Sequence, residues 1–188
     1  MTRGKIIVIV APSGTGKSTL LSDLKRNIEN LHWSVSCTTR PKREGEVHGE
    51  DYHFTTVEDF ESLIKQNEFI EWAKVHSNYY GTRKSFVEEG LDAGKNLLFD
   101  LDVQGCDSMK MIYGDEANVI FIEPPSVEEL EARLKKRATD SEHVIQERLH
   151  NARKELERKD DFDYSIINDD FESASQNLTK VVKRIISG

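Results

Sequence analysis

Ala11-Pro12-Ser13-Gly14-Thr15-Gly16-Lys17-Ser18-Thr19 is the stretch whose residue types and spacing point most directly to chemistry. It lies between the apolar run at 5–10 and the segment Leu20-Leu21-Ser22-Asp23-Leu24. The order is strand, glycine-bearing turn, helix, which is the setting a phosphate-binding loop requires. Gly14 and Gly16 open backbone conformations closed to other residues, so successive N–H groups can point inward at phosphate oxygens. The helix that follows adds its partial positive N-terminus. Lys17 supplies a mobile cation for the β and γ phosphates, and Ser18 a hydroxyl for Mg²⁺. Loops of this kind normally open on Gly, and Ala11 stands there instead; Ala keeps the turn if its φ stays negative. The plain alternative is a Gly/Ser-rich turn without a ligand, which does not require Gly16-Lys17-Ser18 directly after a β-branched strand.

Three further constellations carry charge. Arg40, Lys42 and Arg43 lie in a polar, basic segment broken by Pro41 and Gly45. Two arginines three apart on an irregular segment can converge on one phosphate with planar, bidentate geometry, and Tyr52 and Tyr80 could add phenol donors. The competing reading is a solvated turn. Glu71, Thr82, Asp100 and Asp102, with Ser36, form an acidic and polar set. A carboxylate accepts two parallel N–H bonds, matching the N1–H and 2-amino edge of guanine, and a hydroxyl such as Thr82 or Ser36 can donate to O6. Adenine presents neither pattern and would leave such groups unpaired. Spacing alone puts Glu71 on the exposed face of an alternating strand. Asp100 and Asp102 end a buried strand, where open α/β sheets place ligands, and suit substrate or Mg²⁺-bound water. Arg133 and Arg137 stand i, i+4 on one helix and share a face. Arg148, on the next helix, could meet them across the turn and place movable cations over a transferring phosphoryl group. Glu131, Glu147, Arg153 and Glu157 lace both helices with charge, so a solvated face competes with catalysis.

The elements that must position these residues follow an α/β rhythm. Residues 5–10 read as a buried strand and 18–28 as the first helix; Ser34–Cys37 reads as a second short strand. Residues 52–54 are extended, Thr56 caps a helix with Asp59 three residues on, and 68–75 alternates as a half-buried strand. Residues 78–82 read as a turn rich in hydroxyls. Helices are expected at 84–93 and 103–112, with buried strands at 96–101 and 117–122. Ser126 with Glu129, Thr139 with Glu142 and Asp169 with Glu172 read as helix starts, and 164–167 as the last strand. Such alternation predicts an α/β protein, a doubly wound parallel sheet with right-handed crossovers, carrying a small mixed insertion at 36–82.

At 188 residues the chain suits one domain with a real core. Its net charge of −8 argues against non-specific nucleic-acid binding, although clustered basic residues can still hold anionic substrates. Cys37 and Cys106 form no metal or redox pattern and fit a cytoplasmic setting with free thiols. The N-terminal apolar run is too short for a secretory core or a membrane span. The charged helix at 143–159 suits a solvated face or a dimer surface equally, which leaves monomer and homodimer both open.

The phosphate loop at 11–19, Ser34-Val-Ser-Cys-Thr-Thr-Arg40-Pro-Lys-Arg43-Glu-Gly-Glu-Val-His-Gly-Glu-Asp-Tyr52, Glu68-Phe-Ile-Glu71-Trp, Asn78-Tyr-Tyr80-Gly and Asp100-Leu-Asp102-Val-Gln-Gly together resemble guanylate kinase, a family of P-loop nucleoside monophosphate kinases. The likeness spans nearly the whole chain, with Arg133-Leu-Lys-Lys-Arg137 and Arg148-Leu149 in the family's lid positions. It implies a P-loop core (1–35, 83–125 and 160–188), a GMP-binding insertion (36–82) and a lid region (126–159). It implies that Arg40, Arg43, Tyr52 and Tyr80 hold the GMP phosphate and that Ser36, Glu71, Thr82 and Asp100 read guanine, with Asp102 beside them. Lys17, Arg133, Arg137 and Arg148 would surround the phosphates of MgATP and the group in flight, with GMP or dGMP as acceptor. Thr82 stands where the family also uses Ser, and it keeps the hydroxyl. Two other readings remain at this point. One is an interaction module of the same fold, in which the phosphate loop is typically degraded. The other is a kinase for another phosphorylated sugar or nucleotide, which would not need Glu71, Thr82 and Tyr80 together.

Overall fold

Ile6, Ile7, Val8, Ile9 and Val10 follow one another with no polar residue to turn outward, and all five are buried in strand β1 (Ile6–Val10). A strand apolar on both faces must be covered on both. In the computed structural model, which describes residues 2–75, 77–136 and 141–188, that is how it sits. The chain runs β1, α1 (Lys17–Asn27), β2 (Leu31–Trp33), β3 (Cys37–Thr38), β4 (His53–Phe54), α2 (Val57–Lys65), β5 (Phe69–Val75), β6 (Asn78–Arg83) and α3 (Lys84–Asp92). It continues through β7 (Asn96–Asp100), α4 (Val103–Tyr113), β8 (Ala117–Glu123), α5 (Val127–Lys136), α6 (Glu142–Glu157), β9 (Tyr164–Ile167) and α7 (Phe171–Ser187).

Five strands form the main sheet in the order β2-β7-β1-β8-β9, every neighbouring pair parallel. Because β1 lies between β7 and β8, the loops after β1 and β7 open into the crevice where strand order reverses, the ligand position of such sheets. Successive side chains of β1 feed opposite cores. Ile7 and Ile9 pack with Leu20, Leu21 and Leu24 of α1 and with Leu178, Val182 and Ile185 of α7. Ile6, Val8 and Val10 pack with Val87 and Leu91 of α3 and with Cys106 and Met109 of α4. At roughly 1.5–3 kcal/mol for each fully buried side chain of this size, these contacts anchor the helix that follows the phosphate loop. Two smaller cores stand outside the sheet. Leu130, Leu134, Ile145, Leu149 and Ala152 join α5 to α6, while Phe60 stacks on Phe69 at 4.3 Å and on Tyr79 at 5.2 Å.

Three expectations change. Residues 78–82 belong to strand β6, antiparallel to β5, with Glu71 opposite Thr82 and Trp72 opposite Gly81. Cross-strand packing overrides the turn-like composition: Tyr79 meets Trp72 edge-on at 5.9 Å. A Cβ at Gly81 would lie 2.8 Å from the Glu71 carbonyl oxygen, so glycine is required there. Ser34–Cys37 is not one strand. β2 ends at Trp33 and β3 begins at Cys37, because residues 34–36 carry the chain from one sheet to the other. Ser34 N–H donates to Leu98 O in the main sheet at 2.9 Å, and His53 N–H to Ser36 O in the second at 2.9 Å. That second sheet has the order β4-β3-β6-β5 and comes wholly from the segment 36–83. The third change concerns two helix starts. Ser141 caps α6 by accepting from Val144 N–H, and Asp170 caps α7 by accepting from Ser173 N–H. Thr139 lies outside the described residues, and Asp169 is one position too early. The caps at Thr56 and Ser126 stand as expected, each accepting from the N–H three residues on, at 3.1 Å.

Candidate active site

The turn between β1 and α1 is made by Gly14 (φ 95°) and Gly16 (φ 89°), both in the region that favours glycine. Ala11 carries no such demand, since Asn67 is the single non-glycine residue with positive φ among the described residues. The alanine is therefore compatible with the loop. Gly16 caps α1 without a side-chain hydrogen bond, so the first N–H groups of α1 point at the space a phosphate would take. The Thr15 hydroxyl, fully buried, donates to Pro12 O at 2.9 Å and closes the loop from within. Ser13, Ser18 and Thr19 are exposed at its mouth.

Lys17 reaches across the crevice to the end of β7. Its Nζ lies 2.5 Å from Asp100 Oδ1 and donates to Leu101 O at 3.3 Å. Asp102, the other acid singled out, caps α4 by accepting from Gly105 N–H at 2.7 Å. The two acids thus divide their roles: Asp100 faces the phosphate loop, while Asp102 fixes a helix start. Asp102 also lines a cleft of about 310 Å³ with Glu71, Trp72 and Gln104.

Two residues at this end of the sheet escaped sequence reasoning. Asn168, just past β9, donates from Nδ2 to Thr15 O at 2.6 Å, and a Cβ on Gly16 would meet that nitrogen at 2.7 Å. Its position at the carboxyl end of the last strand was the available signal. Glu155 on α6 is half-buried, and burial raises its carboxyl pKa, with Lys17 pulling it down and Asp102 pushing it up. It follows Arg148 by seven residues and so shares its helix face.

Arg133 lies on α5, where its guanidinium donates to Asn168 O at 3.0 Å, to Asp169 O at 3.4 Å and to Glu129 Oε1 at 3.1 Å. Those contacts seat α5 against the loop after β9, beside the phosphate loop. Leu134 and Leu130 pack onto Gly14, where an added Cβ would stand 2.8 Å and 3.0 Å from them. Arg148 is half-buried on α6. Arg137 lies outside the described residues.

The second sheet carries the other half. Thr82, 2% exposed, donates its hydroxyl to Glu71 Oε1 at 2.6 Å across the β5–β6 pair. Glu71 is drawn inward rather than left on the outer face of its strand. Its carboxyl pKa is raised by burial first, with Asp102 adding to the rise and Thr82 opposing it. Arg40 is held on every side. Its guanidinium pairs with Glu46 at 2.6 Å, lies 5.4 Å from the Tyr52 ring centroid and 5.8 Å from that of Phe54, and donates to Pro41 O at 2.9 Å. Tyr52 and Tyr80 meet edge-on at 6.1 Å. Arg43 is exposed next to them. Ser36 shares a cleft with Tyr52. Glu46 is a further residue not foreseen, although its place three residues after Arg43 on a glycine turn was visible in the sequence.

The profile of the guanylate kinase family matches residues 3–185. Guanylate kinase of Agrobacterium fabrum is 45% identical over 181 residues, covering 96% of this chain and 82% of that protein. The Rickettsia felis guanylate kinase is 46% identical over 182 residues, covering 96% and 93%. The crystal structure of guanylate kinase from Anaplasma phagocytophilum superposes with a TM-score of 0.68 at 32% identity, over 100% of this chain and 89% of that one. A shikimate kinase from Bacteroides thetaiotaomicron shares the fold at a TM-score of 0.50 and 14% identity, over 95% and 98%. With a profile match along almost the whole chain and identities well above the range in which only the fold is shared, the chain belongs to the guanylate kinase family.

Proposed function

We propose that this protein transfers the γ-phosphoryl group of MgATP to GMP, and to dGMP, giving ADP and GDP. The observation that carries this reading is the buried Glu71–Thr82 pair, 2.6 Å apart, on a sheet that also carries Arg40, Tyr52 and Tyr80. A carboxylate has about four lone-pair sites, so Glu71 can accept from Thr82 and still take the N1–H and 2-amino groups of guanine. Ser36 then offers the hydroxyl for O6, while Arg40, Arg43, Tyr52 and Tyr80 take the phosphate. A base without that donor edge would leave the remaining acceptor sites of the half-buried Glu71 carboxylate unmet, a penalty of about 1–3 kcal/mol.

ATP would lie along 11–19, with its phosphates cradled by the loop and the first turn of α1. Lys17 would exchange Asp100 for phosphate oxygens, and Arg133, Arg137 and Arg148 would balance the charge that spreads as the group moves. An α-phosphate oxygen of GMP attacks the γ-phosphorus in line, the bond to the β–γ bridging oxygen breaks, and no side chain forms a covalent intermediate. The Ser18 hydroxyl and the Asp100 and Asp102 carboxylates are hard oxygen donors, a set that fits Mg²⁺. A Mg²⁺ ion held by these residues would supply positive charge against the phosphates of ATP. Closing of the insertion (36–82) and the lid region (126–159) over the core would exclude water and favour transfer over hydrolysis of ATP. Among the described residues no helix is long and apolar enough to cross a membrane, and Cys37 and Cys106 are buried free thiols, so the setting we propose is cytoplasmic.

ADP formation from MgATP with GMP, dGMP, AMP and UMP offered in turn tests the assignment. Strong turnover confined to GMP and dGMP is expected; faster turnover of AMP than of GMP would overturn it.

A further inference from the structure

We infer that Glu46 is the positioning residue that holds Arg40 and Arg43 convergent on the phosphate of the acceptor nucleotide. The inference rests on the GMP reading of this sheet and adds a residue to it.

Both oxygens of the Glu46 carboxylate are engaged by the two ends of the Arg40–Arg43 segment. Oε1 accepts from Arg40 Nη2 at 2.6 Å, and Oε2 from the backbone N–H of Arg43 at 2.7 Å. A single side chain therefore sets where the guanidinium of Arg40 lies and where the backbone that carries Arg43 begins. The turn that brings Glu46 back is closed by its own N–H on Arg43 O at 3.2 Å, with Gly45 at φ 87° in the third position. That is a turn in which positive φ is required at that residue. A Cβ on Gly45 would meet nothing within 4 Å, so the glycine serves the backbone conformation and not the space around it. The side chains of Arg40 and Glu46 are 12% and 19% exposed, so the pair is well shielded from water.

The brace leaves Arg40 capable of binding. A guanidinium has five N–H donors; one goes to Glu46 and one, from Nη1, to Pro41 O at 2.9 Å. Three remain for phosphate oxygens. Tyr52 and Phe54 hold the guanidinium plane from the side. Rotamer freedom lost in advance need not be lost on binding, which is how preorganisation raises affinity. The carboxyl of Glu46 is held below its ordinary range by Arg40 first and the Arg43 N–H second.

Coulomb attraction and positioning predict opposite signs when the Glu46 charge is removed, and this makes the inference testable. Removing a negative charge beside a dianionic phosphate would tighten GMP binding if charge alone mattered. If Glu46 acts by orienting its two partners, affinity falls instead. Titration calorimetry of the full chain with GMP and with guanosine should show, for Glu46→Gln, GMP binding weaker by about tenfold, the loss of roughly one charge-assisted hydrogen bond. Guanosine affinity should be unchanged, and kcat at saturating GMP should stay within about twofold, since transition-state contacts are left in place. Glu46→Asp, which keeps the charge but is one methylene short of spanning both donors, should recover only part of the loss and serves as the readout should Glu46→Gln misfold. GMP binding that is unchanged or tighter in Glu46→Gln would overturn the inference, as would an equal loss for guanosine, the mark of general loosening. Wild-type protein that binds GMP no better than guanosine would instead overturn the GMP reading beneath it.

Discussion

Glu71 is a carboxylate that the fold draws inward against its own solvation. Burial raises its pKa above the ordinary 4.5. A raised value in the folded state means stability that is complete below the unfolded pKa and lost as pH rises through the folded one. At neutral pH the ionised side chain is therefore a stability cost, which the proposed role as acceptor pair for guanine would offset. Glu71→Gln keeps an oxygen for Thr82 and removes the buried charge. Melting should rise, by about 2–4 °C for each kcal/mol recovered in a chain of this size, while selectivity for GMP over other acceptors falls. For the wild type, KM for GMP should climb as pH drops from neutral through that raised pKa, because a protonated Glu71 loses half of its acceptor pair. A lower melting temperature in Glu71→Gln, or a KM for GMP that stays flat down to the ordinary carboxyl value of 4.5, would contradict this account. The phosphate loop was legible at this scale because its chemistry is local, nine consecutive residues in one strand–turn–helix. Asn168 was not, because its partner Thr15 lies 153 residues away, and no local pattern encodes such a contact.

At the scale of elements, α5 ties the phosphate loop to the helical pair above it. Leu130 and Leu134 belong to the α5–α6 core and also pack on Gly14, while Arg133 of the same helix holds the loop after β9. Movement of α5 is thus coupled by direct packing to the backbone proposed to cradle phosphate. Gly14→Ala tests this: its φ of 95° and contacts of 2.8–3.0 Å to Leu134 and Leu130 demand that either the loop or α5 shift. ATP affinity should drop at least tenfold with the main sheet intact by circular dichroism, since the cost falls on a strained turn of about 1–3 kcal/mol rather than on the core. Unchanged ATP affinity would show that loop and helix adjust independently. Apart from β2, the strands of the main sheet and the helices that cover it were readable in sequence because each carries its own period. β6 was not, because its strand identity comes from pairing with β5 and its polar, hydroxyl-rich composition mimics a turn. The break between β2 and β3 is likewise a property of two sheets meeting, invisible in the run Ser34–Cys37.

Over the whole molecule, the candidate residues fall into two groups, joined where Glu71 and Asp102 line one cleft. Lys17 and the α1 N-terminus stand at the switch point of a parallel sheet, and a second sheet holds Arg40, Glu71 and Thr82. Donor phosphates suit the first and a guanine monophosphate the second, so the chemistry of transfer belongs to neither alone. This division was visible in the sequence as a return of the α/β rhythm after residue 83. Following the label of [γ-³²P]ATP through a single turnover with GMP tests the central claim most directly. The account predicts that label passes into GDP in step with ADP formation, with none retained on the protein, and that Lys17→Ala slows this by orders of magnitude while the protein stays folded. Label appearing chiefly as inorganic phosphate, or bound covalently to the chain, would contradict direct in-line transfer to GMP.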